Sequence, residues 1–282
     1  MNATAWGALA IALWSLLALF TVGAAPVPPL QLNAMCFTIG GLTGAIWLTA
    51  TGGWSALRDV PVAAYVLGIV GLAGYHLLYF SALRAAPAAE AGLIAYLWPL
   101  LIVLFSGLLP GERLRFGHLI GGLLGFLGAA SLIGTGLSGG TEALPGYLLA
   151  LACALTWSGY SVLSRRFKDV QTGAVTVFCL ATAALSALGH IVFEASVVPP
   201  DATTWAAIAA LGLGPVGLAF FVWDIGVKRG DIKLLGVFSY AAPVLSTLVL
   251  IGAGLATPTL ALLVATALIT SGAVVAARAS SS

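Results

Sequence analysis

Charged side chains are scarce in this sequence. Only 7% of the 282 residues are Asp, Glu, Lys or Arg, whereas 61% are apolar and the mean hydropathy is +1.10. A soluble domain carries about 25% charged residues, which it needs to cover a water-facing surface. The composition therefore excludes a soluble protein and indicates a chain that crosses a membrane several times.

Cysteine, histidine and clustered basic residues are scarce as well, and this excludes several kinds of site. Cys36, Cys153 and Cys179 stand singly in apolar runs without CxxC or histidine spacing, so neither a disulfide nor a metal site is expected. The eleven Lys and Arg residues are scattered and form no basic face for nucleic acid. A GxxxxGK[ST] motif is absent, so neither ATP nor another cofactor is expected.

Ten apolar runs, bounded by charges or by Pro and Gly, predict ten membrane-spanning helices. The runs are apolar on every side and rich in Ala and Leu, unlike the alternating strands of a membrane β-barrel, so the chain is expected to be all-helical. The predicted spans lie near residues 3–23, 32–51, 62–83, 87–109, 116–135, 145–164, 171–193, 203–226, 233–254 and 258–277.

Basic residues orient these spans. With the amino terminus in the cytoplasm, ten of the eleven Lys and Arg residues fall in cytoplasmic segments, and Arg84 alone falls outside. Membrane proteins keep positive charge on the cytoplasmic side, so both termini are expected there. No basic segment precedes the first apolar run, which is therefore expected to be a retained helix and not a cleaved signal peptide.

The sequence also repeats itself at an offset of 144 residues. Residues 79–101 align with residues 223–245, which makes Arg84 the counterpart of Lys228. Each half holds five predicted spans, an odd number, so the second half must enter the membrane in the opposite sense. Inverted repeats of this kind are typical of secondary transporters. The predicted repeats comprise residues 1–136 and residues 137–282.

Two prolines lie near the middle of corresponding spans. Pro99 in the fourth span and Pro243 in the ninth each remove a helical hydrogen bond and clash with the carbonyl four residues earlier. Both helices are expected to bend, with the two prolines as hinges. Bends at matching positions of inverted halves indicate a transport site, although proline is also common in membrane helices.

Aromatic and polar residues near the helix centres predict a central cavity. An indole N–H or phenol O–H at this depth needs a partner within protein or a cavity, and interhelical packing is the alternative for any single residue. The cavity would accept a small amphipathic or aromatic solute by stacking. The predicted lining residues are Trp14, Ser15, Tyr75, His76, Tyr79, Tyr96, Trp98, Trp157, Ser158, Trp223 and Tyr240.

Few ionisable residues fall inside the predicted spans. Glu90, in the first turn of the fourth span, is expected either to recognise a substrate amine or to be stabilised by the helix dipole. His76 is expected either to orient a carboxylate or to be a neutral, hydrogen-bonded core residue. Asp224 has Lys228 four residues later, which predicts an intrahelical ion pair. His190 and Glu194 have the same spacing.

The fifth span carries a stripe of small residues. Gly117, Gly121 and Gly125 are followed by Ala129, and a small residue at every fourth position allows two helix backbones to approach closely. Ala residues at 261, 265 and 273 correspond to them in the tenth span. Packing within one chain is the favoured interpretation, and a dimer face is the alternative.

Residues 85–132 resemble the end of the first repeat of EamA-type members of the drug/metabolite transporter superfamily. The likeness rests on the small-residue opening of the fourth span, on Pro99, and on the GER step at 111–113 before a glycine-rich fifth helix. The stretch EAGLIAYLWP at 90–99 looks closest to the YddG-type aromatic amino-acid exporters of that superfamily.

The resemblance implies ten spans in two inverted repeats and a cavity lined by spans one, three, four, six, eight and nine. It also implies amino-acid efflux across a bacterial inner membrane. The second half departs from the pattern, since it reads GAGLATPTL at 252–260 and has Ala256 where Glu112 predicts an acid. Symmetry of that junction is therefore not expected.

The sequence thus predicts a secondary transporter that exports amino acids, aromatic and other large neutral ones, by alternating access. Its expected partners are the amino-acid substrate and membrane lipid; a monomer suffices, and a homo-oligomer is left open. The alternatives are an exporter of another metabolite or drug, a channel, and a membrane-embedded enzyme. The sequence lacks HExxH, GxSxG and a carboxylate pair suited to acid–base chemistry, which disfavours the enzyme. Proton coupling and facilitated diffusion both remain open.

Overall fold

The computed structural model describes residues 2–111, 113–133, 141–255 and 257–281, and the two junction residues Glu112 and Ala256 lie outside these ranges. The described chain folds into α-helices joined by short turns. Their bounds are α1 Ala3–Trp14, α2 Leu17–Gly23, α3 Pro29–Thr51, α4 Val62–Ile69, α5 Tyr75–Ala85, α6 Ala88–Ala95, α7 Trp98–Ser106, α8 Phe116–Ile133, α9 Leu144–Leu163, α10 Ala174–Phe193, α11 Ala202–Leu213, α12 Ala219–Arg229, α13 Ile232–Phe238, α14 Ala241–Gly252 and α15 Leu260–Ser281.

Several consecutive helices continue one another across a bend, which produces segments of membrane-spanning length. Within the described ranges, eight segments are long and apolar enough to cross a membrane. Two shorter apolar helices, Glu90–Ser106 and Phe116–Ser131, coincide with the predicted fourth and fifth spans. The chain is therefore an all-helical, multi-pass membrane protein, as its composition predicted.

The helix breaks expected from the two prolines are present. The helical run is interrupted between α6 and α7 just before Pro99, and between α13 and α14 just before Pro243. The break precedes each proline because the ring clashes with the carbonyl four residues earlier. A third break, between α1 and α2, contains no proline and was not predicted. There the Ser15 hydroxyl donates to the Ala12 carbonyl at 2.6 Å, a contact that bends helices.

Two of the long helical segments each contain one π-helical turn. One spans Val70–Gly74 between α4 and α5, and the other spans Gly214–Leu218 between α11 and α12. They lie 144 residues apart, the same offset as the repeat in the sequence. Turns of this type are rare and occur frequently at functional sites.

Glycines bring two pairs of helices into backbone contact. A Cβ atom on Gly121 of α8 would lie 2.6 Å from the Gly272 carbonyl oxygen of α15. A Cβ atom on Gly226 of α12 would lie 2.5 Å from the Cα of Gly7 in α1. The small-residue stripe of the fifth span therefore packs against α15 within the same chain, because only glycine permits this approach.

Replacing Gly121 with alanine is expected to lower the free energy of unfolding by about 1 to 3 kcal/mol, since α8 and α15 must separate to admit the methyl group. Gly159 of α9 is the matched control, because no heavy atom lies within 4 Å of its Cβ position. There alanine is expected to be neutral or stabilising, given its higher helix propensity. Thermal unfolding in detergent measures both; a Gly121→Ala variant as stable as Gly159→Ala would contradict the packing.

Candidate functional site

A cavity of about 880 Å³ lies inside the helix bundle. This volume falls within the range of small-molecule sites. Its wall comes from α1 to α3, α5 to α7, α9, α11, α12 and α14, and it also includes residues of the second π-helical turn. Most of the wall is aromatic or aliphatic, so the cavity suits a ligand with a substantial apolar part.

The structure brings most of the predicted lining residues together on this wall. The tyrosines among them come from α5 and from the break between α6 and α7, where the helix interruption places them at the centre of the bundle. Pro243 also touches the cavity, just after the matching break in the second half. The predicted residues that the wall contains are Trp14, Tyr75, His76, Tyr79, Tyr96, Trp98 and Trp157.

Three predicted lining residues instead take the packing alternative. The Ser158 hydroxyl lies within hydrogen-bonding distance of two backbone carbonyls, at 3.0 and 2.6 Å. The Trp223 indole donates to the Ser161 hydroxyl at 3.2 Å. The Tyr240 hydroxyl accepts from the Leu100 N–H at 3.1 Å. These groups satisfy their hydrogen bonds inside protein and lie off the cavity wall because facing helices cover them.

Ser15, Glu90 and Pro99 also lie off the wall. Ser15 is buried and bonds to its own helix. The Glu90 carboxylate is buried and accepts a hydrogen bond from the Tyr147 hydroxyl, which ties α6 to α9. Pro99 is buried in α7, one residue beyond Trp98. These three residues are close in the chain to residues of the wall, but their own side chains do not line the cavity.

Four tryptophans close one end of the cavity, and we call Trp14, Trp98, Trp157 and Trp223 the tryptophan cluster. They come from four helices, and all six pairs of rings have centroids between 5.0 and 6.3 Å apart. Three of them face the cavity, and Trp223 lies fully buried behind them. Such contacts stabilise beyond the apolar area that they bury. The cluster is therefore a packed aromatic wall at that end of the cavity.

From the tryptophan cluster the cavity extends in one direction only. Along α1 and α2, the wall of the cavity begins at Trp14, the last residue of α1, and continues along α2 to the residues at 25–29. In α5, it begins at Tyr75 and continues to Leu83. Pro26, between α2 and α3, and Pro29, the first residue of α3, line the cavity and are exposed. The cavity thus reaches the end of the bundle at which Arg84 lies.

Polar groups on the wall are few and neutral. His76 Nδ1 lies 2.7 Å from the Leu72 carbonyl. A carbonyl can only accept, so Nδ1 carries the proton and a neutral ring has its lone pair on Nε2. Asn33 also lines the cavity and donates its amide to the Ser186 hydroxyl at 2.7 Å. Among the described lining residues there is no Asp, Glu, Lys or Arg.

Asn33 and Phe220 are wall residues that the sequence analysis missed. Phe220 stacks on Phe37 at 5.4 Å and meets Trp157 edge-on at 5.8 Å. An amide within an apolar run is costly in a membrane, so Asn33 carried a usable signal. Phe220 carried none, because an apolar ring in a span is equally expected to face lipid or the core.

Both intrahelical pairs predicted from the i,i+4 spacing are confirmed. Lys228 Nζ lies 2.9 Å from Asp224 Oδ1, and both side chains are buried. His190 Nδ1 lies 3.0 Å from Glu194 Oε2. The second pair is part of a larger network near the open end of the cavity, because Arg84 also binds Glu194 at 2.8 Å.

Glu194 connects α3, α5 and α10 at the open end of the cavity. Its carboxylate accepts hydrogen bonds from the backbone N–H groups of Leu30 and Gln31, in the first turn of α3, at 3.0 to 3.1 Å. Burial raises the pKa of Glu194, but the Leu30, His190 and Gln31 hydrogen bonds and the Arg84 charge outweigh it, so the pKa lies below its ordinary value. The ionised carboxylate therefore holds the start of α3 against α10.

A membrane-spanning helical bundle with a ligand-sized central cavity is the architecture of a small-molecule transporter. Residues 1–134 and 144–278 both match the EamA-like transporter family. The chain belongs to the EamA-like transporter family. Because this is a family of transporters, the protein is a transporter and not an enzyme.

Two relatives extend this result. The protein named aromatic amino acid exporter YddG from Ancylobacter novellus is 59% identical over 98% of this chain and 96% of its own length. The protein of the same name from Escherichia coli is 28% identical over 87% of this chain and 86% of its own. A solved crystal structure, 59% identical, superimposes with a TM-score of 0.92 over 97% of this chain and 96% of its own.

Replacing Glu194 with glutamine is expected to lower thermal stability in detergent at neutral pH. A carboxylate with a lowered folded-state pKa stabilises above the pKa of an unfolded glutamate, and this contribution is lost as pH falls through the folded-state value. The difference between wild type and Glu194→Gln should therefore shrink towards acidic pH. The exposed Glu142 is the control, and Glu142→Gln should match wild type throughout. A pH-independent difference would contradict the assignment.

Proposed function

We propose that this protein is a secondary transporter that exports aromatic and other large neutral amino acids through the central cavity. The observation that carries this proposal is the aromatic, uncharged wall of a cavity of about 880 Å³. The 59% identity to a protein named aromatic amino acid exporter supports the same substrate class. Indole and phenol rings favour stacked or edge-on aromatic partners, which Tyr75, Tyr79 and Trp157 offer.

In this proposal the chain forms ten spans in two inverted repeats, residues 1–136 and 137–282. Three features support it: the sequence offset, the recurrence of the π-helical turns and proline breaks at that offset, and the family matches to 1–134 and 144–278. The distribution of basic residues supports an orientation with both termini in the cytoplasm, and the exporter relatives support the inner membrane of a bacterial cell.

With this orientation the cavity opens outwards. Arg84 and the segment at 25–29 then face the exterior, and the tryptophan cluster closes the cytoplasmic side. Export by alternating access requires the cluster to part and the outer end to close. Pro99 and Pro243 serve as the bends about which the half-helices move. A single chain encloses the whole cavity, so a monomer suffices for transport.

The wall also offers partners for the two charges of an amino acid. His76 Nε2, as a lone-pair acceptor, suits an ammonium group. The broken helices begin again at Trp98 and at Ala241, and their positive amino ends at membrane depth suit a carboxylate. Ser15, Ser158, Trp223 and Tyr240 support the wall from behind, and Glu90 fixes α6 to α9. In this proposal their contribution to binding is indirect.

The absence of a carboxylate among the described wall residues bears on energy coupling. A proton-coupled carrier usually has an acidic or histidine relay on its pathway. Only His76 is available on the described wall for that role. Movement down the amino-acid gradient without proton coupling is therefore the favoured mode, and a pH gradient tests it directly.

Proteoliposomes of the purified protein are expected to take up radiolabelled Phe, Trp, Thr and Met saturably, faster when unlabelled amino acid is preloaded. Preloading accelerates uptake through a carrier because the loaded site returns faster, which a simple channel does not show. An imposed pH gradient should leave the rate unchanged. Active, correctly inserted protein that takes up none of them would instead indicate another small metabolite or drug as substrate.

Replacing Tyr96 or Trp98 with alanine is expected to raise the KM for aromatic substrates by about tenfold, through lost stacking and buried area. Tyr65 is the matched control for Tyr96, since its hydroxyl binds the Leu57 carbonyl at 2.8 Å away from the cavity. Tyr65→Ala should leave KM unchanged. If folded Tyr96→Ala and Trp98→Ala variants keep wild-type uptake and selectivity, the cavity is not the substrate site.

A further inference from the structure

A buried ion pair lies immediately behind the tryptophan cluster, on the side away from the cavity. Asp224 directly follows Trp223 of the cluster, and Lys228 is one turn later in α12. Lys228 Nζ lies 2.9 Å from Asp224 Oδ1 and 3.0 Å from Oδ2, and the two side chains are 5% and 1% exposed. Thr172 donates its hydroxyl to Oδ2 at 2.9 Å, and Nζ donates to the Val170 carbonyl at 3.0 Å.

The same region holds polar atoms that the fold leaves unsatisfied. Among the described residues, two further buried side-chain oxygens, Tyr160 Oη and Thr176 Oγ1, have no hydrogen-bond partner. Tyr160 packs on Trp157 of the tryptophan cluster at 5.2 Å. A buried polar group without a partner costs about 1 to 3 kcal/mol. Water would satisfy these polar groups if this region opened to the cytoplasm in another conformation of the transport cycle.

The chemistry of the pair matches that of an amino acid. A zwitterion carries one ammonium and one carboxylate, and Lys228 and Asp224 present the same two groups in contact. Shedding water from both charges is costly unless each meets an opposite charge. The described cavity wall has no charged side chain, and this buried pair directly adjoins Trp223 of the tryptophan cluster.

We infer that Asp224 and Lys228 form the cytoplasmic loading site for the zwitterionic head of the substrate; this rests on the proposed function. The substrate ammonium replaces Lys228 at Asp224, and the substrate carboxylate replaces Asp224 at Lys228. The number of ion pairs rises while no charge is left alone. Separating the pair also loosens the contacts of α12 with Thr172 and Val170, which frees the cytoplasmic side to open.

The test uses inverted membrane vesicles, whose outer face is the cytoplasmic one. Initial uptake of radiolabelled tryptophan gives KM, and competition gives inhibition constants for tryptamine, which lacks the carboxylate, and indole-3-propionate, which lacks the ammonium. Asp224→Asn is expected to raise the tryptophan KM by about tenfold to a hundredfold, the effect of losing a hydrogen bond to a charged group. Inhibition by indole-3-propionate should be unchanged.

Lys228→Met is expected to give the complementary pattern. The tryptophan KM rises by a similar factor, while inhibition by tryptamine is unchanged. Arg84→Gln is the matched control, because Arg84 is the repeat counterpart of Lys228 on the opposite face and should not alter cytoplasmic selectivity. If a single variant fails to fold because one buried charge is unpaired, the double variant Asp224→Asn/Lys228→Met removes both charges. It should bring the three ligands to similar affinities.

Two results would overturn the inference. If the variants shift all three ligands by one factor, or shift none, the pair is only a structural bond between α12 and the segment at 164–173. If wild type takes up tryptophan and the variants keep wild-type selectivity, the loading site is rejected and the proposed function is retained. If vesicles with the wild-type protein take up no tryptophan, both the loading site and the proposed function are rejected.

Discussion

The structure depends on one constraint: lipid offers no hydrogen bonds, so every polar group at membrane depth must find its partner within the protein. Continuous helices satisfy the backbone, and irregular backbone is tolerated only where it faces protein or a cavity. The interruptions observed here obey this rule. The breaks near Trp14, Tyr96 and Pro243, and the π-helical turn that contains Pro215, all touch the same cavity. The location of the site and the location of the irregular backbone therefore have one physical cause.

The same constraint explains the division of the bundle into two unlike halves. On one side of the tryptophan cluster lies a cavity whose described wall is uncharged. On the other side, Asp224 and Lys228 form a buried ion pair. In the proposed transport cycle the apolar surface holds the ring of the substrate, and the ion pair compensates its ammonium and carboxylate. Mutually contacting indoles separate them because large rigid rings exclude water with little loss of side-chain entropy.

Much of the fold was predictable from the sequence, because bilayer thickness fixes the length of a span. The apolar runs match the observed helices within a few residues, and the bends near Pro99 and Pro243 followed from the covalent structure of proline. The break after Trp14, where Ser15 bonds to the Ala12 carbonyl, was not predicted, because the sequence there contains no proline. In the site, seven of the residues predicted near span centres lie on the cavity wall, whereas Trp223 is buried behind them.

The sequence by itself determined the class of protein, the number of apolar segments and the residue types available at membrane depth. These depend on composition, on spacing along one helix and on local stereochemistry. Only the tertiary structure decided which face of each helix meets the cavity. Asn33 and Phe220 lie on the wall while Ser158 and Tyr240 lie behind it. Which face meets the cavity depends on how neighbouring helices pack. The residue pattern within a single apolar segment does not show which distant segments will pack against it.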